Sequence, residues 1–488
     1  MTGPDSIAEL PLSRFLVGGR WIEPAATGRL PVICPSSERE IAHTPDATES
    51  DVDAAVRAAR QAFDQGVWPR LTPQQRAETL RRLSAALHAR AGALAALWVA
   101  ETGVLASLAQ YGPAYALRTL DFYAGLADTF EFAEDHGRST GAAWLLREPV
   151  GVVAAIAPWN APFATMITKI APALLAGCTV VMKPAPETPF DAYVIALCAE
   201  EAGVPPGVLN LITAGRDASD YLARHPGVDK VSFTGSLAAG RRVASVCGDR
   251  IARVTLELGG KSAAIVLDDY DLRVAARSLV GDLCLLSGQN CAALTRVIVD
   301  RSRHDALVSL LQAEMENVRI GYPDDPEAQL GPLALARQRD RVNALIDAGV
   351  AEGARLMTDR ARTLPPTGYF VPPTLFADVS PGMAIAQEEI FGPVLCVLAS
   401  ENEDDAVRIA NESRFGLAGA VFTNDADRAL AMARRIRTGT VSQNGSRADF
   451  EIAFGGFKQS GLGREGGREG LFPYLEAKTV LLEQASRT

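Results

Sequence analysis

The sequence predicts an α/β protein of more than one domain, and three observations carry that prediction. At 488 residues the chain is too long for one simple core, so two or three domains are expected. From Pro149 onward, short apolar runs alternate with helical stretches at the spacing of βαβ units. That rhythm is the signature of a parallel sheet, whose ligands sit at the carboxyl ends of its strands. From about Gly259 a second alternation of the same kind begins.

Composition narrows the class. An apolar share of 48% with 22% charge describes a packed globular chain. The formal net charge of −10, with both signs mixed throughout, argues against nucleic acid or an anionic membrane as a partner. Seven cysteines are scattered, odd in number and never spaced Cys-x-x-Cys, which points away from a disulfide framework and structural zinc and toward a reducing compartment. Residues 1–21 carry Asp5 and Glu9 without the apolar stretch of a secretory signal, and the longest apolar runs, such as 91–100, are too short to span a membrane. The expectation is a cytoplasmic protein.

Each element then follows in order. Ser50 is expected to cap a helix over 51–63. Thr72, Pro73 and Gln75 supply the N-cap, first turn and capping box of a longer helix that ends near Gly103. An amphipathic stretch over 115–132 precedes a polar segment (Glu134, Asp135, His136, Gly137, Arg138) and a hairpin-like region around Trp144. Strands are predicted at 150–157, 179–182, 208–213 and 231–233. The helices between and after them cover 165–176, closed by Gly177, then Thr188-Pro189 to Gly203, then 237–246. In the second section, strands read at 263–267, 296–299 and 394–397, and helices at 305–316 and 404–411. The tail, 474–483, alternates as a single strand, which needs a partner elsewhere.

The chemistry gathers around Ser287-Gly288-Gln289-Asn290-Cys291. A single free thiol is more often an inert core residue. Here Gly288 permits close backbone approach, and Gln289 and Asn290 are poor core residues, so the thiol is expected to face a polar cavity. A nucleophilic cysteine also needs a base, a hole for the oxyanion and an acceptor for what leaves. Asn160, in Ala157-Pro158-Trp159-Asn160 at a strand end, can donate to an oxyanion, although a turn asparagine looks the same. Glu257, set between Leu256 and Leu258 before Gly259-Gly260-Lys261, is expected to be desolvated and so to act as a general base of raised pKa; an ion pair is the structural alternative. Lys183 leaves an apolar strand where it can meet ribose or phosphate, as an exposed strand-end lysine also would. Phe233-Thr234-Gly235-Ser236 runs into a helix whose N–H groups suit a pyrophosphate, with a plain N-cap as the alternative. In Glu388-Glu389-Ile390-Phe391-Gly392-Pro393 a carboxylate can accept ribose hydroxyls and a phenyl ring can pack on a flat one. Gly461-Leu462-Gly463-Arg464-Glu465-Gly466 matches the dinucleotide fingerprint, but polar Phe457-Lys458-Gln459-Ser460 precedes it and no βαβ unit follows. It reads as a flexible surface turn.

Taken together, these stretches and Phe454-Gly455-Gly456-Phe457-Lys458-Gln459-Ser460-Gly461 closely resemble the aldehyde dehydrogenase superfamily, over roughly residues 15–483. The resemblance implies a Rossmann-type nucleotide-binding domain (1–127 and 148–258), an α/β catalytic domain (259–470) and a small oligomerisation element (128–147 and 471–488) that makes homodimers or homotetramers. It implies a non-acylating, NAD(P)+-dependent enzyme that oxidises a small-molecule aldehyde to its acid. Cys291 would form a thiohemiacetal and then a thioester, Asn160 and the Cys291 N–H would hold the oxyanion, and Glu257 would activate the hydrolytic water. Ile156, Trp159, Lys183, Glu187, Gly215, Phe233, Gly235, Ser236, Leu258, Glu389 and Phe391 would bind the dinucleotide. No metal is implied.

Two departures from the family pattern stand out. Pro186 occupies a place, three after the lysine, where NAD-preferring members often carry an acid, with Glu187 one further on; the expected cofactor is NAD, with NADP as the alternative. Ala453 replaces a common proline, and the loop 445–452, with Arg447 as a candidate carboxylate clamp, is idiosyncratic. Rival readings are a coenzyme A-acylating dehydrogenase, which usually lacks the carboxylate at Glu257, a cysteine hydrolase, for which none of the five histidines sits in a motif-like setting, and a non-catalytic relative.

Overall fold

Along the strand Val152–Ile156 the side chains alternate between two cores: Val152, Ala154 and Ile156 pack on one side, Val153 and Ala155 on the other. All five are buried, as a parallel strand covered by helices on both faces requires. The same alternation recurs in the second half of the chain, where Ile298 enters one core and Val297 and Val299 another. Burying each such aliphatic side chain is worth about 1.5–3 kcal/mol.

The computed structural model describes residues 7–137 and 141–483. Arg138 of the polar segment, and the ends of the chain assigned above to the nucleotide-binding domain and the oligomerisation element (1–6 and 484–488), lie outside the described residues. In chain order, β1 (Phe15–Val17) and β2 (Arg20–Ile22) form a hairpin, and β3 (Arg29–Cys34) pairs with β4 (Arg39–Pro45) as a separate ribbon. After β5 (Ala133–Asp135) and β6 (Gly141–Pro149) come β7 (Val152–Ile156), β8 (Thr179–Lys183), β9 (Leu209–Leu211), β10 (Lys230–Thr234) and β11 (Arg253–Glu257). These last strands are parallel and stand in the order β11-β10-β7-β8-β9, with β1 and β2 antiparallel beyond β9. The chain runs outward from β7 through β8 to β9 and then returns to β10 on the other side of β7. The switch point between β7 and β10 opens a crevice at their carboxyl ends, where such sheets bind nucleotides.

A second sheet holds β12 (Ala263–Val266), β13 (Arg296–Asp300), β14 (Arg355–Leu356), β15 (Thr374–Ala377), β16 (Val394–Ser400), β17 (Ala418–Phe422) and β18 (Thr440–Gln443). Their order is β14-β15-β16-β13-β12-β17-β18, parallel except for β14. The chain then sends β19 (Gly461–Leu462) back to the first sheet, antiparallel to β11. Finally β20 (Leu475–Glu483) pairs antiparallel with the whole of β6, whose other edge holds β5. The molecule is therefore a Rossmann-type sheet and a second α/β sheet, with a small three-stranded sheet that uses the terminal strand.

Several expectations need correction. Thr48, not Ser50, caps the first helix (Glu49–Asp64): its hydroxyl accepts from the Asp51 N–H while Asp51 accepts from the Thr48 N–H, a reciprocal box two residues earlier than expected. The Thr72 box stands, but 72–103 is two helices, Pro73–His88 and Ala91–Thr102, bent by 66°. Arg90 leaves helical geometry (φ −108°, ψ 11°) and bonds to Glu201. The stretch 115–132 is helical over Gly112–Leu126, and the helix placed at 165–176 starts earlier, at Pro162, in each case with a proline in the first turn. The glycine-rich stretch 461–466 is not a flexible surface turn. Gly461 pairs with Glu257, Glu465 is buried, and a Cβ on Gly466 (φ +68°) would lie 2.6 Å from the Ile452 carbonyl oxygen.

Candidate active site

The loop before the thiol is strained by design of its neighbours. Leu286, Ser287 and Gly288 all have positive φ (51°, 54° and 75°), an unusual run for two non-glycine residues. A Cβ on Gly288 would sit 2.3 Å from the Gly392 carbonyl carbon, so only glycine lets the loop lie against Gly392-Pro393. Gln289 is buried, accepting from the Ala334 N–H at 3.0 Å and donating to the Leu286 carbonyl at 3.1 Å. Asn290 accepts from the Ala292 N–H at 3.1 Å. These amides build the loop, and Asn290 also lines the space in front of Cys291; that space is otherwise walled mainly by apolar side chains, which corrects the expectation of a polar cavity. Burial pushes the Cys291 thiol up to about 12, the Glu389 and Glu257 carboxylates add to the rise, and the N–H groups of Cys291 and Ala292 oppose it. A thiol so placed needs a base to become a nucleophile.

Asn160 points at this loop. Its side-chain amide donates to the Gln289 carbonyl at 2.9 Å, and its backbone carbonyl accepts from Trp98 Nε1 at 3.1 Å. A carboxamide carries two N–H bonds, so one remains for an oxygen developing charge near the thiol.

Glu257 ends β11 and lines the same cavity as Cys291. Both carboxylate oxygens are buried with no hydrogen-bond partner among the described residues, which removes the ion-pair alternative. Burial pushes its pKa well above the usual carboxylate range; Glu465 adds to the rise, and Lys169 and Arg464 oppose it. Sequence reasoning missed the two buried residues behind it. Lys169 Nζ contacts Glu465 Oε1 at 2.6 Å and donates to Thr234 Oγ1 at 2.7 Å, while Thr168 donates to Glu465 Oε2 at 3.2 Å. A lysine inside the apolar helix Pro162–Ala176 was the available signal, since a buried ammonium demands a carboxylate.

The remaining residues line the crevice at the carboxyl ends of the first sheet. Ile156 closes β7, Lys183 closes β8, Phe233 and Gly235 lie at the end of β10, and Leu258 follows β11. Ser236 caps the next helix, accepting from the Ala239 N–H at 3.3 Å. A Cβ on Gly240 would meet Leu258 Cδ2 at 2.3 Å, so that helix lies close over the crevice floor. Burial pulls the Lys183 ammonium down to about 8, with Glu187 opposing. Gly215 lies past β9, and its N–H is already donated to Asp46 at 2.7 Å. From the other sheet, Glu389 accepts from the Gly260 N–H at 3.1 Å and burial raises its carboxyl to about 7. Trp159 and Phe391 (φ +59°) meet edge to face, ring centroids 5.3 Å apart. A buried lysine, a part-buried carboxylate and a helix N-terminus at the carboxyl ends of a switch-point sheet fit a dinucleotide.

The cavity that joins Cys291 to Glu257 has a volume of about 490 Å³. Leu94, Trp98, Leu108, Tyr111, Tyr115, Phe163, Leu285, Leu286, Phe450 and Phe454 line it, with Asp282 and Arg447 among the few charged groups. The idiosyncratic loop is pinned over it: Tyr115 donates to the Ala448 carbonyl at 2.5 Å, and Arg118 Nε to Glu451 at 2.9 Å.

Comparison with known proteins agrees with this geometry. The family model described as the aldehyde dehydrogenase family matches residues 21–480. Geranial dehydrogenase of Castellaniella defragrans is 44% identical over 470 residues, 96% of this chain and 98% of that one. An aldehyde dehydrogenase of Mycobacterium tuberculosis, solved with NAD+, superposes with a TM-score of 0.94 at 41% identity, covering 98% of this chain and 99% of the other. Aldehyde dehydrogenase C of Pseudomonas syringae, a cysteine-to-alanine mutant solved with NAD+ and octanal, superposes at 0.93 with 37% identity and 96% of each chain covered.

Proposed function

The chain belongs to the aldehyde dehydrogenase family, and from that premise we propose a role for each side chain and an apolar aldehyde as the substrate. The enzyme oxidises an aldehyde to its carboxylic acid with NAD+. NAD+, when bound, supplies the hydride acceptor. Cys291 gives its proton to Glu257, directly or through water, and its sulfur bonds to the aldehyde carbon. The carbonyl π pair moves to oxygen, where the second Asn160 N–H and the Cys291 N–H receive the charge. Loss of hydride from that carbon leaves a thioester on Cys291. Glu257 releases the first proton to solvent, then takes one from a water whose oxygen attacks the thioester carbon; the C–S bond breaks as the acid forms, and Glu257 returns that proton to the Cys291 thiolate. The unpartnered Glu257 carboxylate in the cavity that holds the thiol favours this hydrolysis over transfer to coenzyme A. Lys183, Glu187, Ser236 and Glu389 would hold the polar parts of the dinucleotide, and Trp159 and Phe391 would position its nicotinamide end.

The observation that carries the substrate class is the aromatic and aliphatic lining of the 490 Å³ cavity. The relatives named for geranial and crystallised with octanal support it. Each additional methylene that reaches the wall is worth about 0.8 kcal/mol, or about fourfold in kcat/KM. The experiment is steady-state NAD+ reduction with a homologous alkanal series, a terpenoid aldehyde and betaine aldehyde. We expect kcat/KM to climb with chain length and to fall by tenfold or more, on the order of a missing pocket contact, for the cationic aldehyde. A preference for betaine aldehyde would overturn the apolar reading. NADP+ run in parallel decides the cofactor alternative. In the same assay Cys291→Ala should show no turnover, and Glu257→Gln should slow both acylation of Cys291 and hydrolysis of the thioester, lowering turnover about 10²–10⁴-fold with no acylation burst.

Two further parts of the reading concern the whole protein. The unpaired cysteines suit a reducing, cytoplasmic setting. The small sheet of β5, β6 and β20 is the contact through which copies of the chain assemble.

A further inference from the structure

An ion pair that the chemistry above does not use crosses the nucleotide crevice. Glu187 lies in the loop after β8, and its charge acts on the buried Lys183 ammonium, so it belongs to the wall built by the first sheet. Its carboxylate meets Arg337, in the first turn of the helix Ala336–Ala351. That helix belongs to the opposite wall. Val342 and Ile346 anchor it in the core of the second sheet, and Gln338, next to Arg337, donates to the Ile390 and Phe391 carbonyls, each at 2.9 Å. Arg341 adds a third bond, to the Ile390 carbonyl at 3.1 Å. One helical turn therefore fixes the Phe391 segment and also reaches across to Glu187.

Stability does not explain the pair. Arg337 is 64% exposed and Glu187 22%, and exposed ion pairs contribute little to folding. Its geometry suggests another use. The guanidinium contacts only Oε1, which leaves Oε2 to accept from a ribose hydroxyl and so to stand in for the acid that Pro186 displaces one residue earlier. Without Arg337, the Glu187 side chain would be free to turn to solvent.

We propose that Arg337 is a positioning residue for the dinucleotide: from the second wall it holds the Glu187 carboxylate in the crevice and so ties both walls across the bound nucleotide. This rests on the reading of the crevice as the NAD+ site. The test measures NAD+ affinity by calorimetry, NADH release by stopped-flow fluorescence and the acylation burst, in the wild type, Arg337→Gln, Arg337→Lys, Glu187→Gln and the double variant. Arg337→Gln should weaken NAD+ about five- to twentyfold, the scale of one charge-assisted hydrogen bond, and speed NADH release while the burst rate at saturating NAD+ holds. Arg337→Lys should recover part of the affinity, and the double variant should bind no more weakly than either single one, because the two residues act as a unit. Wild-type affinity in Arg337→Gln, or losses that simply add, would overturn the proposal. Failure of the wild type to bind NAD+ at all would overturn the crevice reading itself, and this inference with it.

Discussion

At the scale of residues, the site turns on two groups that burial makes unreactive and proximity makes useful. The Cys291 thiol is pushed up to about 12 and Glu257 well above the usual carboxylate range, so at low pH the cavity holds a thiol and a carboxylic acid. A base works only when deprotonated, and a raised pKa moves that condition upward. The rate of thioester hydrolysis should therefore rise with pH through the shifted Glu257 pKa and level off above it. Glu257→Asp should keep the rising limb and Glu257→Gln should lose it; a pre-steady-state pH profile distinguishes the two, and an unchanged limb in the glutamine variant would move the base role to another group. Gly288 offers a second test at this scale. With φ at +75° and Gly392 in the way of any Cβ, Gly288→Ala must displace the loop that carries the thiol. A displacement near 1 Å costs about 10²-fold in rate, so kcat should fall by at least that much while NAD+ binding, measured separately, stays.

Elements explain why some of this was legible in the sequence and some was not. β7, β8 and β10 are readable because each is a short apolar run that ends in a residue too polar for its surroundings, and Asn160, Lys183 and Ser236 stand out by that contrast. β11, which opens on exposed Arg253, is not legible as a strand, and Glu257 stands out only by its place between two leucines. Lys169 and Glu465 were missed because they meet across 296 residues of chain, and a buried pair leaves only half of its signature at each end. For the same reason the turn after Gly461 reads as surface: its glycines advertise flexibility, and only the fold shows that they let Glu465 reach an ammonium inside an apolar helix. The pair is a structural necessity. Lys169→Met leaves Glu465 charged and unpaired, and such losses cost about 3–5 kcal/mol. Thermal or denaturant unfolding should report that drop, and Lys169→Met combined with Glu465→Gln should recover much of it. A Lys169→Met variant as stable as the wild type would overturn the structural role of the pair.

The molecule as a whole shows one surface that its own chain does not finish. β20 was legible as a strand without a partner; β6 supplies one edge, but in the order β20-β6-β5 its outer edge has none among the described residues. Period-two geometry puts Leu481 and Leu482 on opposite faces of this ribbon, and both are more than half exposed, at 63% and 54%. A long edge strand with apolar side chains on each face invites another chain, and folded proteins cover or charge such edges. The assembly of copies proposed for this ribbon would account for the exposure, and the substitution Leu482→Arg tests it. The arginine sits far from the cavity and on an exposed position, so it should leave the far-ultraviolet spectrum and the melting temperature of each subunit nearly unchanged. Sedimentation velocity should show the wild type as a dimer or tetramer and the variant shifted toward a monomer, the more so at low protein concentration, because the charge must be desolvated to close the contact. A wild type that sediments as a monomer at micromolar concentration would end the argument. A variant that still assembles would move the contact away from this edge, leaving Leu481 and Leu482 as ordinary exposed leucines, which folded surfaces tolerate when they are scattered but rarely in adjacent pairs on an open strand.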